Sequence, residues 1–274
     1  MPEGDTIFRA ARTLGRALTG HTVVRFESAL ATLDAVHDQS PITGRTIERV
    51  ESAGKHLLMH FSGDLVLRTH MRMNGSWHIY RPGERWQRPR RDMRVVVATP
   101  DFEAVGFSIP VAEFIRTRDV ARHAELRRLG PDVLSEAFDA EEAGRRLRER
   151  TDMAIADALL NQRVLAGLGN VYKSEVLFMC RVSPFTLVRD VEDAAIRSIV
   201  ETSRRVLLAN VTERLAPMTT YTGLRRTTGR QDPRERLWVY GRARLPCRTC
   251  GIAIRVKAQG PHARLTYWCP ECQP

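Results

Sequence analysis

The chain has 274 residues, 43% of them hydrophobic and 27% charged, with 43 Lys and Arg against 32 Asp and Glu for a formal net charge of +11. That is room for two domains with separate cores, in the composition of a folded protein rather than a disordered one. No apolar run reaches the roughly 18 residues of a spanning helix, and MPEGDTIFRAAR has no apolar stretch behind a basic start, so neither a membrane span nor a signal peptide is expected and the protein reads as cytosolic.

Ile7, Ala10, Ala11, Leu14 and Leu18 follow helical spacing, and Gly20 stops the run. Residues 22–107 then read mostly as strand: TVVRFES, TIERVES, KHLLMHF, DLVLRTHM, SWHIY and MRVVVATP, separated by Gly, Pro, Asn and Asp turns. Many short strands in series predict an antiparallel sandwich. After Arg118 the pattern turns helical, through DAEEAGRRLRER, TDMAIADALLNQ, NVYKSEVLFMC and VEDAAIRSIVETSRRVLLANV. Residues 128–134 (RLGPDVL), with Gly130 and Pro131, read as a hinge, and the polar, Arg-rich residues 217–236 as a mobile loop. The expected class is α+β: a β-sandwich domain at 1–119 with flanking helices, a hinge at 120–135, a helical domain at 136–221, and a basic loop with a cysteine ribbon at 222–274.

The positive charge concentrates in that last segment, where eleven Arg and Lys face three Asp and Glu, a local excess of eight. Such asymmetry favours a polyanionic partner, nucleic acid ahead of membrane, although charge alone fits a merely soluble basic protein equally well. Two Cys-x-x-Cys knuckles, Cys247/Cys250 and Cys269/Cys272, stand 18 residues apart. This is the spacing of a four-thiolate zinc ribbon holding one structural Zn2+, with disulfide pairing the weaker reading in a reducing compartment. Cys180 reads as a small buried hydrophobe. Within the helical block, QRVLAGLGN (162–170) joins two helices. Gly167 and Gly169 permit positive φ, Asn170 is a good N-cap, and the helix start exposes N–H groups that suit a phosphate. A plain helix–turn–helix hairpin would look the same.

Taken in order, the start MPEG, the passage GKHLL, the run QRVLAGLGN–YKSEVLF, the late VYGR and the terminal cysteine ribbon resemble the formamidopyrimidine-DNA glycosylase/endonuclease VIII family over nearly the whole chain. The resemblance implies a helix–two-turns–helix DNA-binding domain, damaged DNA held in a cleft between two domains, and a bifunctional glycosylase/AP lyase of base excision repair. It implies a monomer acting in the cytoplasm on the nucleoid. Pro2 would be the nucleophile: an N-terminal amine has a pKa near 7.7–8.0 against about 10.4 for lysine, so roughly a tenth is neutral at pH 7. Glu3 would be the general acid/base and Lys55 the second catalytic basic group. Only three of the 43 basic residues are lysines, and Lys173 and Lys257 read as ordinary surface charges. HMRMNG (70–75) matches the loop that fills the void left by an extruded base, with Met73 as wedge and Arg72 near the orphaned base, although a methionine there would also suit a core. His70, Arg128, Gln162, Asn170 and Arg264 match DNA contacts, and the resemblance implies that Arg264 also assists the second elimination.

Two departures bear on substrate. Asp5 and Thr6 follow Gly4 where the family has an apolar residue and then Glu, and PDFEAVGFS lacks the Arg-Arg-Phe-Gly finger of the purine-excising branch. The first means that whatever that Glu does is done otherwise or not at all. The second favours the endonuclease VIII side and, together with a 222–236 stretch shorter than the loop that closes over a flipped purine in the purine-specific relatives, oxidised pyrimidines over 8-oxoguanine. The alternatives are a purine-lesion glycosylase, a non-catalytic DNA-binding relative, and a zinc-ribbon RNA-binding protein.

Overall fold

Eight short strands between residues 25 and 115 stack as two antiparallel sheets, because the apolar faces they present can be buried only against a second layer. The computed structural model describes residues 2–212, 225–230 and 232–274. The chain forms two compact units, divided in sequence between Arg127 and Arg128. The first opens with α1 (Gly4–Leu18), whose Ile7, Ala11, Leu14 and Leu18 lie on one buried face. Gly20, at φ +83, follows the helix end. One sheet runs in the order β1 (Arg25–Ser28), β6 (Met93–Ala98), β7 (Glu103–Phe107), β5 (Ser76–Tyr80). The other runs β2 (Ile47–Ala53), β3 (His56–Phe61), β4 (Leu65–His70), β8 (Val111–Ile115). Leu57, Met59, Phe61 and Leu67 meet Val95 and Val97 in a core closed by Ile7 and Leu14.

Two elements here were not foreseen. α2 (Ala31–Gln39) buries only Leu33, so no apolar stripe announces it. β8 is half-buried at all five positions and shows no alternation. The stretch PDFEAVGFS is largely the central strand β7, paired on both sides, and only residues 108–110 join it to β8. The outward face of the second sheet is polar yet covered. Arg68, 2% exposed, ion-pairs with Glu113 at 3.1 Å and with Glu125. The His60 ring bonds Glu51 at 2.7 Å and holds that carboxyl below its usual range.

The second unit contains α3 (Ala140–Arg148), α4 (Ile155–Leu160), α5 (Asn170–Met179), α6 (Asp193–Thr212) and the hairpin of β9 (Arg255–Gln259) and β10 (Arg264–Trp268). Residues 130–133 are built into it. The Gly130 N–H donates to the Gln162 carbonyl at 2.8 Å, and a Cβ on Gly130 would lie 2.5 Å from the Val164 carbonyl oxygen. Of the loop expected at 217–236, residues 217–224 and 231 lie outside the described residues. The rest is tied down: Thr227 N–H donates to the Arg236 carbonyl at 2.9 Å, and Asn210 of α6 both accepts from and donates to the Arg226 backbone. Among the described residues, no helix is long and apolar enough to cross a membrane.

Helix α5 is buried at nine of its ten positions, Lys173 and Glu175 included. Lys173 is therefore no surface charge: its Nζ donates to Thr266 Oγ1 of β10 at 2.7 Å. The Glu175 carboxylate accepts the N–H groups of Trp238, Val239 and Tyr240 at 2.8–2.9 Å and the Thr227 hydroxyl. Burial pushes its pKa up, while these four donors favour the carboxylate. Cys180, at the end of α5, is half-buried rather than buried, with its Sγ 3.6 Å from Ser198 Oγ. Glu175→Gln replaces one acceptor oxygen by an NH2 that faces backbone N–H donors. We expect it to cost about 2–4 kcal/mol of stability. Chemical denaturation checks this, and an unchanged midpoint would count against the clasp.

Candidate active site

The chain's first residues are part of the fold. Glu3 is fully buried and stands as the N-cap of α1, its carbonyl accepting from Thr6 N–H (3.0 Å) and Ile7 N–H (3.1 Å). Pro2, half-buried, precedes it directly. Asp5 is also fully buried, and two acids suit a helix start, where the backbone dipoles favour negative charge.

The direction of α1 follows from two contacts. Gly20 N–H donates to the Ile47 carbonyl at 2.8 Å, and the Cβ direction of Gly15 faces the Val50 carbonyl oxygen at 3.6 Å. The helix thus runs antiparallel to β2. At 1.5 Å per residue its N-terminus lies toward the far end of that strand. There Gly54 and Lys55 form the two-residue turn between β2 and β3, with Gly54 at the positive φ (+58) such a turn demands at its first position. His56 pairs with His70 at the same end, their rings edge-on with centroids 4.8 Å apart. Lys55 and His70 stand together at this end of the β2–β3–β4 sheet, and the direction of α1 points Pro2 and Glu3 toward it. Burial, with the nearby Lys55 ammonium adding to it, pushes His70 down to about 4. Its neutral ring accepts the Arg72 N–H at Nδ1 (3.1 Å), which leaves Nε2 carrying the proton as a donor.

The turn after His70 separates the two readings of its methionines. Met71 is the core residue, 2% exposed, whereas Met73 is 55% exposed. Gly75 N–H closes the turn onto the Met71 carbonyl at 2.9 Å, and a Cβ at Gly75 would lie 2.5 Å from that same oxygen, so only glycine fits. Arg72, at φ +47, and Met73 are held out into solvent on this turn.

In the second unit the 162–170 passage closes around the Gln162 side chain. Its amide donates to the Leu160 and Leu168 carbonyls (3.0 Å each) and accepts the Gly167 N–H (3.1 Å). Gln162 thus shapes the loop from inside. Gly167 takes φ +93 as expected, but Gly169 is extended at φ −130 and is itself the N-cap. Asn170 is the first residue of α5 and caps nothing. Its Nδ2 donates instead to the Leu265 carbonyl at 2.9 Å, next to Arg264. Asn170 and Arg264 are therefore neighbours, and Arg264 flanks the β9–β10 turn rather than standing at its tip. Arg128 is exposed, two residues before Gly130 and its bond to the same loop.

The four cysteine sulfurs lie within 4.8 Å of one another, with Cys247–Cys272 at 3.9 Å and Cys250–Cys269 at 3.4 Å. Those separations exceed the disulfide bond of about 2.05 Å and match the roughly 3.8 Å between thiolates around a tetrahedral zinc. Thr249 N–H points at Cys247 Sγ (3.4 Å), and Phe178, Val239 and Ile254 pack beside the cluster. The thiols, their spacing and the apolar surround fit a metal ion.

Missing from the sequence reading were Glu175, Lys173 and the charged layer at Arg68. The one available signal was an acid and a lysine inside the otherwise apolar VYKSEVLF.

Comparison with known proteins agrees with this geometry. Residues 1–130 match the formamidopyrimidine-DNA glycosylase N-terminal domain and residues 129–220 the formamidopyrimidine-DNA glycosylase H2TH domain. A Streptomyces coelicolor protein named "Probable endonuclease 8 2" is 41% identical over 279 residues, covering 100% of this chain and 94% of that one. The "DNA-(apurinic or apyrimidinic site) lyase Nei2" of Mycolicibacterium smegmatis is 36% identical over 277 residues, covering 100% and 99%. Among solved structures, Lactococcus lactis Fpg in complex with DNA containing an abasic site superposes at a TM-score of 0.82 over 99% of each chain, at 22% identity, a likeness of fold. The chain belongs to the formamidopyrimidine-DNA glycosylase/endonuclease VIII family, on its endonuclease VIII side.

Proposed function

We propose that this protein is a DNA glycosylase/AP lyase of base excision repair that removes oxidised bases, pyrimidines first, with Pro2 as its nucleophile. One observation carries the reading: Glu3 is buried in the start of α1, which aims the N-terminus at the end of the sheet where Lys55 and His70 stand.

Removal of Met1 exposes a secondary amine whose neutral form is accessible at pH 7. Its nitrogen lone pair attacks the sugar C1′ and the bond to the damaged base breaks, the base leaving with a proton from a general acid. The amine nitrogen then loses its proton and the C1′–O4′ bond breaks as O4′ is protonated, which opens the sugar to an iminium that acidifies the C2′ proton. Loss of that proton eliminates the 3′ phosphate, and a second elimination releases the 5′ phosphate. In this reading Glu3 moves protons at these steps, and Lys55 supplies an ammonium that can give one up. The neutral His70 donates through Nε2 to a phosphate oxygen, and Arg128, Asn170 and Arg264 contact the backbone. The closed loop around Gln162 presents the α5 N-terminus, a ready phosphate site. Met73 enters the stack once the base leaves it, with Arg72 at the orphaned partner.

Cys247, Cys250, Cys269 and Cys272 hold one Zn2+, which takes no part in the chemistry and fixes the hairpin that presents Arg264. The enzyme works as a monomer on nucleoid DNA in the cytoplasm, and the basic tail answers the polyanion.

Borohydride reduction on an abasic-site oligonucleotide should give a covalent protein–DNA adduct. Retained Met1 or any N-terminal extension turns the amine into an amide and should abolish the adduct; a fully active extended protein would refute the mechanism. Chelation or Cys269→Ser should weaken DNA binding strongly while the first unit stays folded. Metal analysis that finds active protein without zinc would remove that assignment. For the lesion, the three-residue β7–β8 connection leaves no room for an opposite-base finger. Poorly stacked, ring-saturated pyrimidines are also the cheaper bases to extrude. Single-turnover excision should be faster from duplexes carrying 5-hydroxyuracil or thymine glycol than from 8-oxoguanine opposite cytosine. Equal rates would overturn the preference and leave the Pro2 chemistry standing.

A further inference from the structure

An inserted wedge works best when its posture is set before the base leaves, because ordering it during extrusion costs backbone and rotamer entropy. The Met71–Gly75 bond restrains one side of the Met73 turn. The other side is restrained by Arg88, half-buried in the β5–β6 connection. Its Nη1 donates to the Asn74 carbonyl at 3.3 Å and to the Ser76 hydroxyl at 3.0 Å. Asn74 follows Met73 directly and Ser76 opens β5, so one guanidinium nitrogen spans the second half of the turn.

A long side chain on a loose loop restrains nothing, and Arg88 is not on one. The preceding Gln87 N–H donates to Tyr80 Oη at 3.0 Å. Trp86 donates through Nε1 to Glu103 Oε2 at 3.1 Å and stacks on the Tyr80 ring with centroids 6.4 Å apart. The circuit returns through the sheet: Tyr80 Oη lies 3.2 Å from His78 Nδ1, and His78 Nε2 lies 2.9 Å from Ser76 Oγ. Burial, then the Arg88 charge, pushes His78 down to about 4. Its neutral ring donates at one nitrogen and accepts at the other, as a closed ring of hydrogen bonds requires.

We propose that Arg88 is a positioning residue for base extrusion, holding Met73 in its inserting posture through Asn74 and Ser76. This rests on the reading of Met73 as the wedge, and the test separates the two. Arg88→Ala, Met73→Ala and the double variant are assayed on two substrates. One is a duplex carrying 5-hydroxyuracil. The other is a single-stranded oligonucleotide with a preformed abasic site, which has no base to extrude. Arg88→Ala should slow single-turnover excision from the duplex by about five- to tenfold, the effect of losing one charge-assisted hydrogen-bond pair, and leave strand cleavage at the single-stranded site within about twofold. In the Met73→Ala background it should add little, since the clamp then has nothing to hold. Normal duplex excision by Arg88→Ala, equal slowing on both substrates, or full multiplication of the two effects in the double variant would each overturn the proposal. If Met73→Ala itself excises from the duplex at the parent rate, the wedge reading falls and the clamp with it. Slow Met73→Ala beside normal Arg88→Ala rejects the clamp alone.

Discussion

A buried helix can carry charged and amide side chains only if each one meets a partner, and in α5 Glu175, Lys173 and Asn170 each find one in the C-terminal tail. Glu175 collects three consecutive backbone N–H groups from residues 238–240, Lys173 reaches the Thr266 hydroxyl, and Asn170 reaches the Leu265 carbonyl. The tail needs this. It carries a basic excess of eight, and Leu245, Ile252, Val256 and Leu265 remain exposed, so it has little core of its own. Three polar anchors and four cysteines replace the missing apolar area. The orientation of Arg264 is inherited from α5 through the residue beside it.

In the first unit the equivalent constraint is register. The Gly54–Lys55 turn sets which residues of β3 and β4 face the core, and a one-residue slip would carry His56 and Arg68 inward and expose Leu57 and Leu67. With the register held, the outward face can bury charge at modest cost, because Arg68 meets Glu113 and Glu125 where it lies. Burial also keeps His56 and His70 neutral beside Lys55 and Arg68. Protonating either ring would place a further positive charge in that same cluster. The site end of the sheet therefore offers a neutral N–H donor at His70 at working pH.

What the sequence revealed divides along the range of the interactions. α1, six of the strands, the longer helices and the cysteine knuckles are written in spacings of two to four residues, and each was legible. α2 was not, since one buried leucine makes no stripe. Helix α5 starts one residue earlier than an Asn170 cap would place it, because the extended Gly169 takes the cap position at a cost of only about a few tenths of a kcal/mol and Asn170 is engaged with the Leu265 carbonyl. Glu175 and Lys173 meet partners 52 and 93 residues away, so no local pattern marks them. The same holds for Arg88, whose partners sit across a β5–β6 connection of irregular backbone. The candidate catalytic residues were legible only as members of a motif order; Pro2 and Glu3 alone would read as an ordinary chain start.

The scarcity of lysine joins these levels. Three of 43 basic residues are lysines, so wherever a positive charge alone suffices, this chain uses arginine. Two of the three stand where a guanidinium would fail. At 173 the charge is fully buried, and a compact ammonium makes its short bond to the Thr266 hydroxyl where the larger, rigid fork of a guanidinium would have five N–H donors to satisfy. At 55 the side chain stands at the end of the sheet toward which the N-terminus points, and the proposed chemistry requires a group able to release and regain a proton, which arginine cannot do. The third, Lys257, is exposed with its Nζ 5.6 Å from the centre of the Phe185 ring, a position either cation would serve. In an arginine-dominated chain, each lysine thus poses the choice between size and proton exchange, and under the proposed chemistry only position 55 calls for proton exchange.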